Sequence, residues 1–190
     1  MSETITNETT GESAVIRMEE IIESWMNPRH DVDGLLGTMC TEHRRVTLGD
    51  EKRDMHSLPE EILDGDVTPV EFFQREHGAR VVLVLDLYEH SGMTIQARQI
   101  GEPAVYPFND RWDAGVVGFI FDTPEALKEA GCEDWTDEQI REDLIAEVKV
   151  YDSYLRGEVF FVDHGDDTVG GCVGYEHAVG TAKDLLGIAA

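Results

Sequence analysis

Residues 80–100 read RVVLVLDLYEHSGMTIQARQI and residues 111–122 read RWDAGVVGFIFD, and these two stretches decide the fold of the chain. Apolar side chains fill nearly every position from 81 to 87, a pattern that predicts a strand buried on both faces. Ser91-Gly92 can turn the chain into a second strand over residues 93–100, and residues 115–122 form a third. The core of the protein is therefore predicted to contain an antiparallel sheet.

Helix signals surround these strands. Thr68-Pro69 and Thr123-Pro124 each place a capping residue before a proline, which predicts the start of a short helix. Thr136 and Gln139 form a capping box before a long amphipathic helix near residues 137–156. A fourth strand is predicted over residues 158–163 and a terminal helix over residues 178–188. Because the helices are grouped, the fold class is α+β, with helices packed on a largely antiparallel sheet.

The remaining segments set the predicted domain boundaries. Residues 1–13 are polar and are expected to form a disordered acidic tail, followed by a single domain over residues 14–190. Residues 15–26 fit the spacing of a helix, although the sequence AVIRM can equally begin a strand. Residues 29–65 are expected to lack regular structure.

The charge balance is extreme for a chain of 190 residues. It carries 40 acidic against 15 basic residues, a formal net charge of −25, and only four of the basic residues are lysines. High salt screens the repulsion within such a surface, so the composition favours a halophilic protein. The rival interpretation is that the carboxylates mimic the phosphates of a nucleic acid. Under either interpretation, direct nucleic-acid binding through a broad basic face is disfavoured.

The sequence also suggests where the protein resides. No apolar run is long enough to cross a membrane, and the first residues lack the pattern of a signal peptide. The three cysteines are far apart and form no paired motif, which is typical of reduced thiols. We therefore expect a soluble protein in a host cytoplasm at high salt, with no membrane partner.

Polar residues at the predicted strand ends form the candidate site. Glu89 and His90 lie where the first strand turns, and Trp112 and Asp113 come just before the third strand. Glu89 and His90 should point to opposite faces, so Asp113 is the better partner for the imidazole. We therefore assign His90 and Asp113 as candidate catalytic residues. The alternative is that His90 bonds a loop carbonyl and Asp113 caps a turn.

A local excess of positive charge provides the candidate ligand-binding residues. His43, Arg44 and Arg45 are expected either to hold an anionic ligand or to pair internally with Asp50 or Glu51. The predicted ligand-binding residues are therefore the three basic residues together with Asp50, Glu89 and Trp112. A divalent cation held by Asp50, Glu51, His43, His90 and Asp113 is a weaker hypothesis, because the sequence contains no HExxH, paired-cysteine or EF-hand pattern. The sequence identifies no cofactor.

Six segments of the chain, spanning residues 27–175 in consistent order, resemble a family of small proteins of unassigned function. Tailed viruses, prophages and plasmids of bacteria and haloarchaea encode this family. The chain departs from the usual family pattern at Glu89, where Asp is common, and at Ala114, where Ser is common. The segments are Asn27-Pro28-Arg29, Leu36-Gly37-Thr38-Met39, His43-Arg44-Arg45 with Leu48-Gly49-Asp50-Glu51, residues 87–94, residues 112–120 and residues 151–159.

The resemblance implies a non-virion accessory protein of a haloarchaeal virus or mobile element that binds a host or viral macromolecule, with action against host defence as one form of that role. A second hypothesis is a hydrolase or nuclease, metal-dependent or not, with its site around His90 and Asp113. A third is a component of the virion.

Overall fold

The structure is a computed structural model that describes residues 2–30, 34–50 and 60–188. Over these residues a short 3-10 helix covers Ser24–Met26. The strands are β1 (Ser2–Thr6), β2 (Ser13–Met18), β3 (Gly37–Thr41), β4 (Val82–Glu89), β5 (Met93–Gln99), β6 (Ala114–Asp122), β7 (Val159–His164) and β8 (Asp167–Val173). The helices are α1 (Glu60–Leu63), α2 (Pro69–His77), α3 (Pro124–Glu129), α4 (Asp137–Leu155) and α5 (Tyr175–Leu185).

The predicted fold class, α+β with antiparallel sheets, is confirmed, although the strands form two sheets instead of one. The chain divides into two compact units. The smaller unit comprises Met1–Pro28 and Ser153–Ala190, and the larger unit comprises Arg29–Asp152. The single domain over residues 14–190 stays a prediction.

The sheet of the larger unit has the strand order β3-β6-β4-β5, and every neighbouring pair is antiparallel. The predicted hairpin is confirmed, with Glu89 of β4 paired to Met93 of β5. Helix α2 packs on one face of this sheet, where Phe73 stacks on Phe121 with ring centroids 4.2 Å apart. The register of β4 against β6 shifts beside Leu85, and the extra residue of β6 is Val117.

Helix α4 begins at the predicted capping box, in which the Thr136 and Gln139 side chains each accept a backbone N–H of the other residue. The Glu147 carboxylate accepts the backbone N–H of Gly37 on β3. The Asp152 carboxylate accepts the backbone N–H of Ile95 on β5. Because β3 and β5 are the two edges of the sheet, α4 crosses the whole sheet within the larger unit.

The sheet of the smaller unit has the order β1-β2-β7-β8, again antiparallel throughout. Helix α5 covers it and buries Ala178 and Ala182 against Ala14, Ile16 and Val162. The predicted turn after His164 is the tight connection between β7 and β8, where Gly165 adopts a φ of 61°.

Three sequence predictions differ from the structure. The segment expected to be a disordered tail contains β1, which is held by its pairing with β2. Of the two interpretations of residues 15–26, the helix is wrong for the first part and the strand is confirmed, because Ser13–Met18 forms β2 between β1 and β7. Within the predicted irregular segment of residues 29–65, the structure contains the buried strand β3 and the short helix α1.

Of the helices in the described part of the chain, none is both long and apolar enough to span a membrane.

Candidate functional site

An open groove lies in the larger unit, at the end of β4 and the start of β6. We call it the polar groove, and its volume is about 380 Å³. Val117, the extra residue of β6, is part of its wall. Its lining residues are His43, Arg44, Arg45, Leu87, Glu89, Ser91, Trp112, Asp113, Ala114, Gly115 and Val117.

The predicted pair of His90 and Asp113 forms at the edge of this groove. His90 Nδ1 lies 2.9 Å from Asp113 Oδ2. The turn makes this possible, because Ser91 adopts a φ of 57° and the His90 backbone N–H donates to the Gly92 carbonyl. The imidazole is about two-thirds exposed, and among the described residues its Nε2 has no hydrogen-bond partner. The Asp113 carboxylate therefore orients the ring and leaves Nε2 facing solvent.

Asp110 fixes the backbone that carries Trp112 and Asp113. One of its carboxylate oxygens accepts the backbone N–H of Trp112 at 2.8 Å and that of Asp113 at 3.0 Å. These two hydrogen bonds, assisted by the nearby His90, lower the pKa of Asp110 below its ordinary value. Sequence analysis missed Asp110, although Asp side chains in turns commonly accept the backbone N–H two residues later.

Glu89 contacts two of the basic residues that line the groove. Its carboxylate accepts from Arg45 at 3.3 Å and lies 3.7 Å from His43 Nε2. His43 Nδ1 accepts the backbone N–H of Val46, so the neutral ring carries its proton on Nε2, toward Glu89. Two of the three predicted basic residues are thus held by Glu89.

Arg44 and Trp112 have few contacts although both line the groove. In the described ranges 2–30, 34–50 and 60–188, Arg44 makes no ion pair. Trp112 is 82% exposed, and the Arg111 guanidinium carbon lies 5.1 Å from the centre of its ring. A charged fork and a planar ring are therefore both open to a ligand.

Asp50 is not part of the polar groove. Its side chain is buried and accepts from Arg29 Nε at 2.8 Å and from the Met39 backbone N–H at 2.8 Å. The predicted pairing of the basic cluster with Asp50 is therefore wrong, since Arg29 is the partner. Glu51 lies outside the described residues.

Glu147 completes this buried network on the other side of Arg29. Its carboxylate lies 2.6 Å from Arg29 Nη1 and also accepts the backbone N–H of Leu36. Burial raises the pKa of Glu147 above its ordinary value, and the guanidinium and backbone donors oppose that shift. The network is a structural feature that ties α4 to the segment before β3.

The metal hypothesis gains no ligand set from the part of the chain that the structure describes, where no three His, Cys, Asp or Glu side chains are grouped to hold an ion. Of the predicted ligands, His90 and Asp113 meet, His43 lies 3.7 Å from Glu89, and Asp50 pairs with Arg29.

Comparisons of the chain with protein-family models, with curated proteins and with solved structures gave no match.

Proposed function

We propose that this chain is a non-virion accessory protein of a haloarchaeal virus or mobile element, and that it binds a host or viral macromolecule through the polar groove. The observation that carries the proposal is the 82% exposed indole of Trp112 beside the groove that Arg44 also lines. Trp and Arg are the side chains that most often dominate the binding energy of protein interfaces. The viral and haloarchaeal setting rests on the family resemblance and on the net charge of −25.

The loop between β5 and β6 extends this surface beyond the groove. Besides Trp112, it exposes 77% of Tyr106 and 62% of Val105. Tyr106 lies near Tyr88, whose pKa is raised by partial burial and by Tyr106, Asp113 and Asp110. Several apolar side chains concentrated on one exposed loop are typical of an interaction site.

High salt favours binding by this kind of surface. The Debye length is only ~3 Å at 1 M salt, so attraction between separated charges contributes little there. Apolar burial is not weakened in the same way, and direct contacts to a bidentate arginine persist at short range. A partner of a chain with 40 acidic residues is therefore held best through an aromatic anchor.

The proposal is tested by capture in multimolar KCl. The tagged chain, with a photo-crosslinking residue in place of Val105, is irradiated in lysate of infected host cells, and the adducts are identified by mass spectrometry. We expect one adduct that is lost in Trp112→Ala and kept in Trp25→Ala, which removes a 58% exposed indole from the smaller unit. An adduct that forms equally with both variants, or the absence of any adduct, contradicts the proposal.

The second candidate is a hydrolase or nuclease, favoured by the 2.9 Å contact between His90 and Asp113. A carboxylate that orients an imidazole with a free Nε2 is the arrangement of a general base. Arg44 lies in the adjoining groove, where it can stabilise negative charge on a phosphoryl or acyl group.

The hydrolase is tested with phosphodiester and ester substrates, with and without Mg²⁺, Mn²⁺ or Zn²⁺. His90→Ala and Asp113→Asn should each abolish turnover, while His177→Ala, a change in the smaller unit, should leave it intact. Turnover that survives His90→Ala, or the lack of turnover in every condition, excludes this site as a hydrolase.

A further inference from the structure

We propose that the polar groove binds a nucleoside phosphate, with the base stacked on Trp112 and the phosphate held by Arg44. This inference rests on the proposed function, because it names the ligand chemistry of the same groove. Three properties of the groove carry it: a preorganised aromatic surface, an arginine without an ion-pair partner among the described residues, and carboxylates that already have partners within the protein.

The aromatic surface is the indole of Trp112, whose backbone is held in place and whose ring is exposed to solvent. Asp110 accepts the backbone N–H of Trp112 at 2.8 Å, so the position of the residue is set before any ligand arrives. Arg111 lies over the ring at 5.1 Å from its centre, yet the residue remains 82% exposed. One face of the indole is therefore available to a planar group, as in the sites where single bases stack on aromatic side chains.

The charges inside the groove permit an anion in spite of the acidic chain. Glu89 is engaged by Arg45 at 3.3 Å and lies 3.7 Å from His43, and Asp113 is engaged by His90 at 2.9 Å. Arg44 is left to bind an external oxyanion, and its planar fork suits a phosphate in a bidentate manner.

The size of the groove fits a ligand with one base and one phosphate. Its volume of about 380 Å³ falls in the range of roughly 300–1,000 Å³ that is usual for small-molecule sites. A long double helix instead requires an extended cationic surface, which a chain of net charge −25 does not supply. The ligand is thus either a free nucleotide or one exposed nucleotide of a single strand.

The experiment is isothermal titration calorimetry of the full chain in multimolar KCl with four probes: AMP, adenosine, inorganic phosphate and a short single-stranded oligonucleotide. We expect AMP to bind more tightly than adenosine or phosphate alone, because only AMP uses both Trp112 and Arg44. An oligonucleotide that binds more tightly than AMP identifies a nucleic-acid strand as the source, whereas equal or weaker binding identifies a free nucleotide. Equal affinity for AMP and adenosine overturns the assignment of Arg44, and the absence of heat with every probe overturns the inference.

Variants separate stacking from charge. Base stacking on an aromatic side chain implies that Trp112→Ala weakens AMP binding by roughly 5- to 150-fold, while Trp112→Phe retains most of the affinity. Arg44→Ala should weaken AMP without changing adenosine, and Arg44→Lys should restore part of the loss. The control is Arg75→Ala, which removes an arginine that pairs with Glu61 and Glu76 in the same unit. An AMP affinity that is unchanged by Trp112→Ala contradicts the inference.

The two proposals can fail independently. A macromolecular adduct that depends on Trp112, in a chain that gives no heat with AMP or the oligonucleotide, refutes the nucleotide inference and supports macromolecule binding. AMP binding that depends on Trp112, in a chain that forms no adduct, supports the nucleotide inference and refutes macromolecule binding.

Discussion

Removal of Arg29 should destabilise the chain more than the loss of any surface ion pair. The Arg29 side chain is only 1% exposed, and it lies 2.7 Å from Asp50 and 2.6 Å from Glu147, whose side chains are 7% and 8% exposed. It also donates to the Gly37 carbonyl at 2.6 Å. Substitution by Met keeps most of the volume but leaves two buried carboxylates without a cation.

The expected loss follows from the burial of these groups. Breaking a buried ion pair by removal of one partner costs about 3–5 kcal/mol, because the remaining charge stays desolvated. In a chain of this length each kcal/mol lowers the midpoint of thermal unfolding by about 2–4 °C, so Arg29→Met should lower it by roughly 6–20 °C. Backbone N–H donors from Met39 and Leu36 still reach the carboxylates, which favours the lower part of the range.

The assays are thermal unfolding and urea unfolding, both followed by circular dichroism at low and at multimolar KCl, since urea leaves the ionic strength unchanged. The control Arg75→Met breaks pairs whose side chains are about half exposed, and it should cost much less than Arg29→Met because solvent screens these charges. The effect of Arg29→Met should persist at high salt, because buried charges are poorly screened. A loss no larger than that of the control, or one that disappears in KCl, would refute this account of the network.

Three further predictions concern the sheet of the larger unit. Gly118→Ala should destabilise the chain by about 1–3 kcal/mol in the same urea assay, because its Cβ would lie 2.1 Å from the backbone oxygen of Cys40. The control is Gly115→Ala, whose Cβ would meet no atom within 4 Å and which should leave stability unchanged. Burial raises the pKa of Asp122 above its ordinary value of 3.8, so the folded state favours the protonated form and the free energy of unfolding should fall as pH rises from 3.8 through the raised pKa. Asp122→Asn should remove this decline in a series of unfolding measurements at different pH values. A decline that is unchanged in the variant would contradict the assignment to Asp122. Burial, assisted by the charge of Glu42, raises the pKa of the Cys40 thiol to about 11. A thiol reagent at pH 8 should therefore label Cys40 only after unfolding, and rapid labelling of Cys40 in the folded chain would disprove its burial.

The parts of the fold that the sequence predicted are those with strong local signals. The hairpin of β4 and β5, the strand β6 and the helix α4 each combine a clear apolar pattern with a specific turn or cap. The capping residues Thr68 and Thr136 were identified because their side chains bond backbone groups only three residues away. Such interactions join residues that are close in the sequence, so a short stretch of sequence is enough to predict them.

Strand β3, which sequence analysis missed, depends on a distant partner. Strand β3 has the sequence GTMCT, without an apolar run, and it is buried because it pairs with β6 about 80 positions later. Gly37 has no local reason to be glycine, but a Cβ there would lie 2.5 Å from the Ile120 side chain. No short window of sequence contains both β3 and β6. Strand β1 was missed for a different reason: it is polar apart from Ile5, and it forms a local hairpin with β2 in which Thr6 pairs with Ser13.

The candidate site shows the same division. His90 and Asp113 were paired correctly because strand alternation and the position of the turn are local properties. Asp50 was misassigned because it pairs with Arg29 in a buried network that also needs Glu147, which lies 118 positions from Arg29. The sequence shows which polar residues lie near a strand end. Only the structure shows which of them are buried and therefore stabilise the fold.

The buried polar residues and the exposed groove residues also differ in how much they contribute to the free energy of unfolding. Arg29, Asp50 and Glu147 are almost inaccessible, so their substitution is expected to cost stability. The pair of His90 and Asp113 is exposed, as is Trp112, and exposed pairs contribute at most ~1 kcal/mol. Folding therefore gains little from the groove residues, and an exposed indole beside an arginine without an ion pair in the described residues is better explained by a ligand than by stability. The same argument separates binding from folding in the tests, because variants at positions 44 and 112 should lose affinity while they unfold at the same urea concentration as the parent chain.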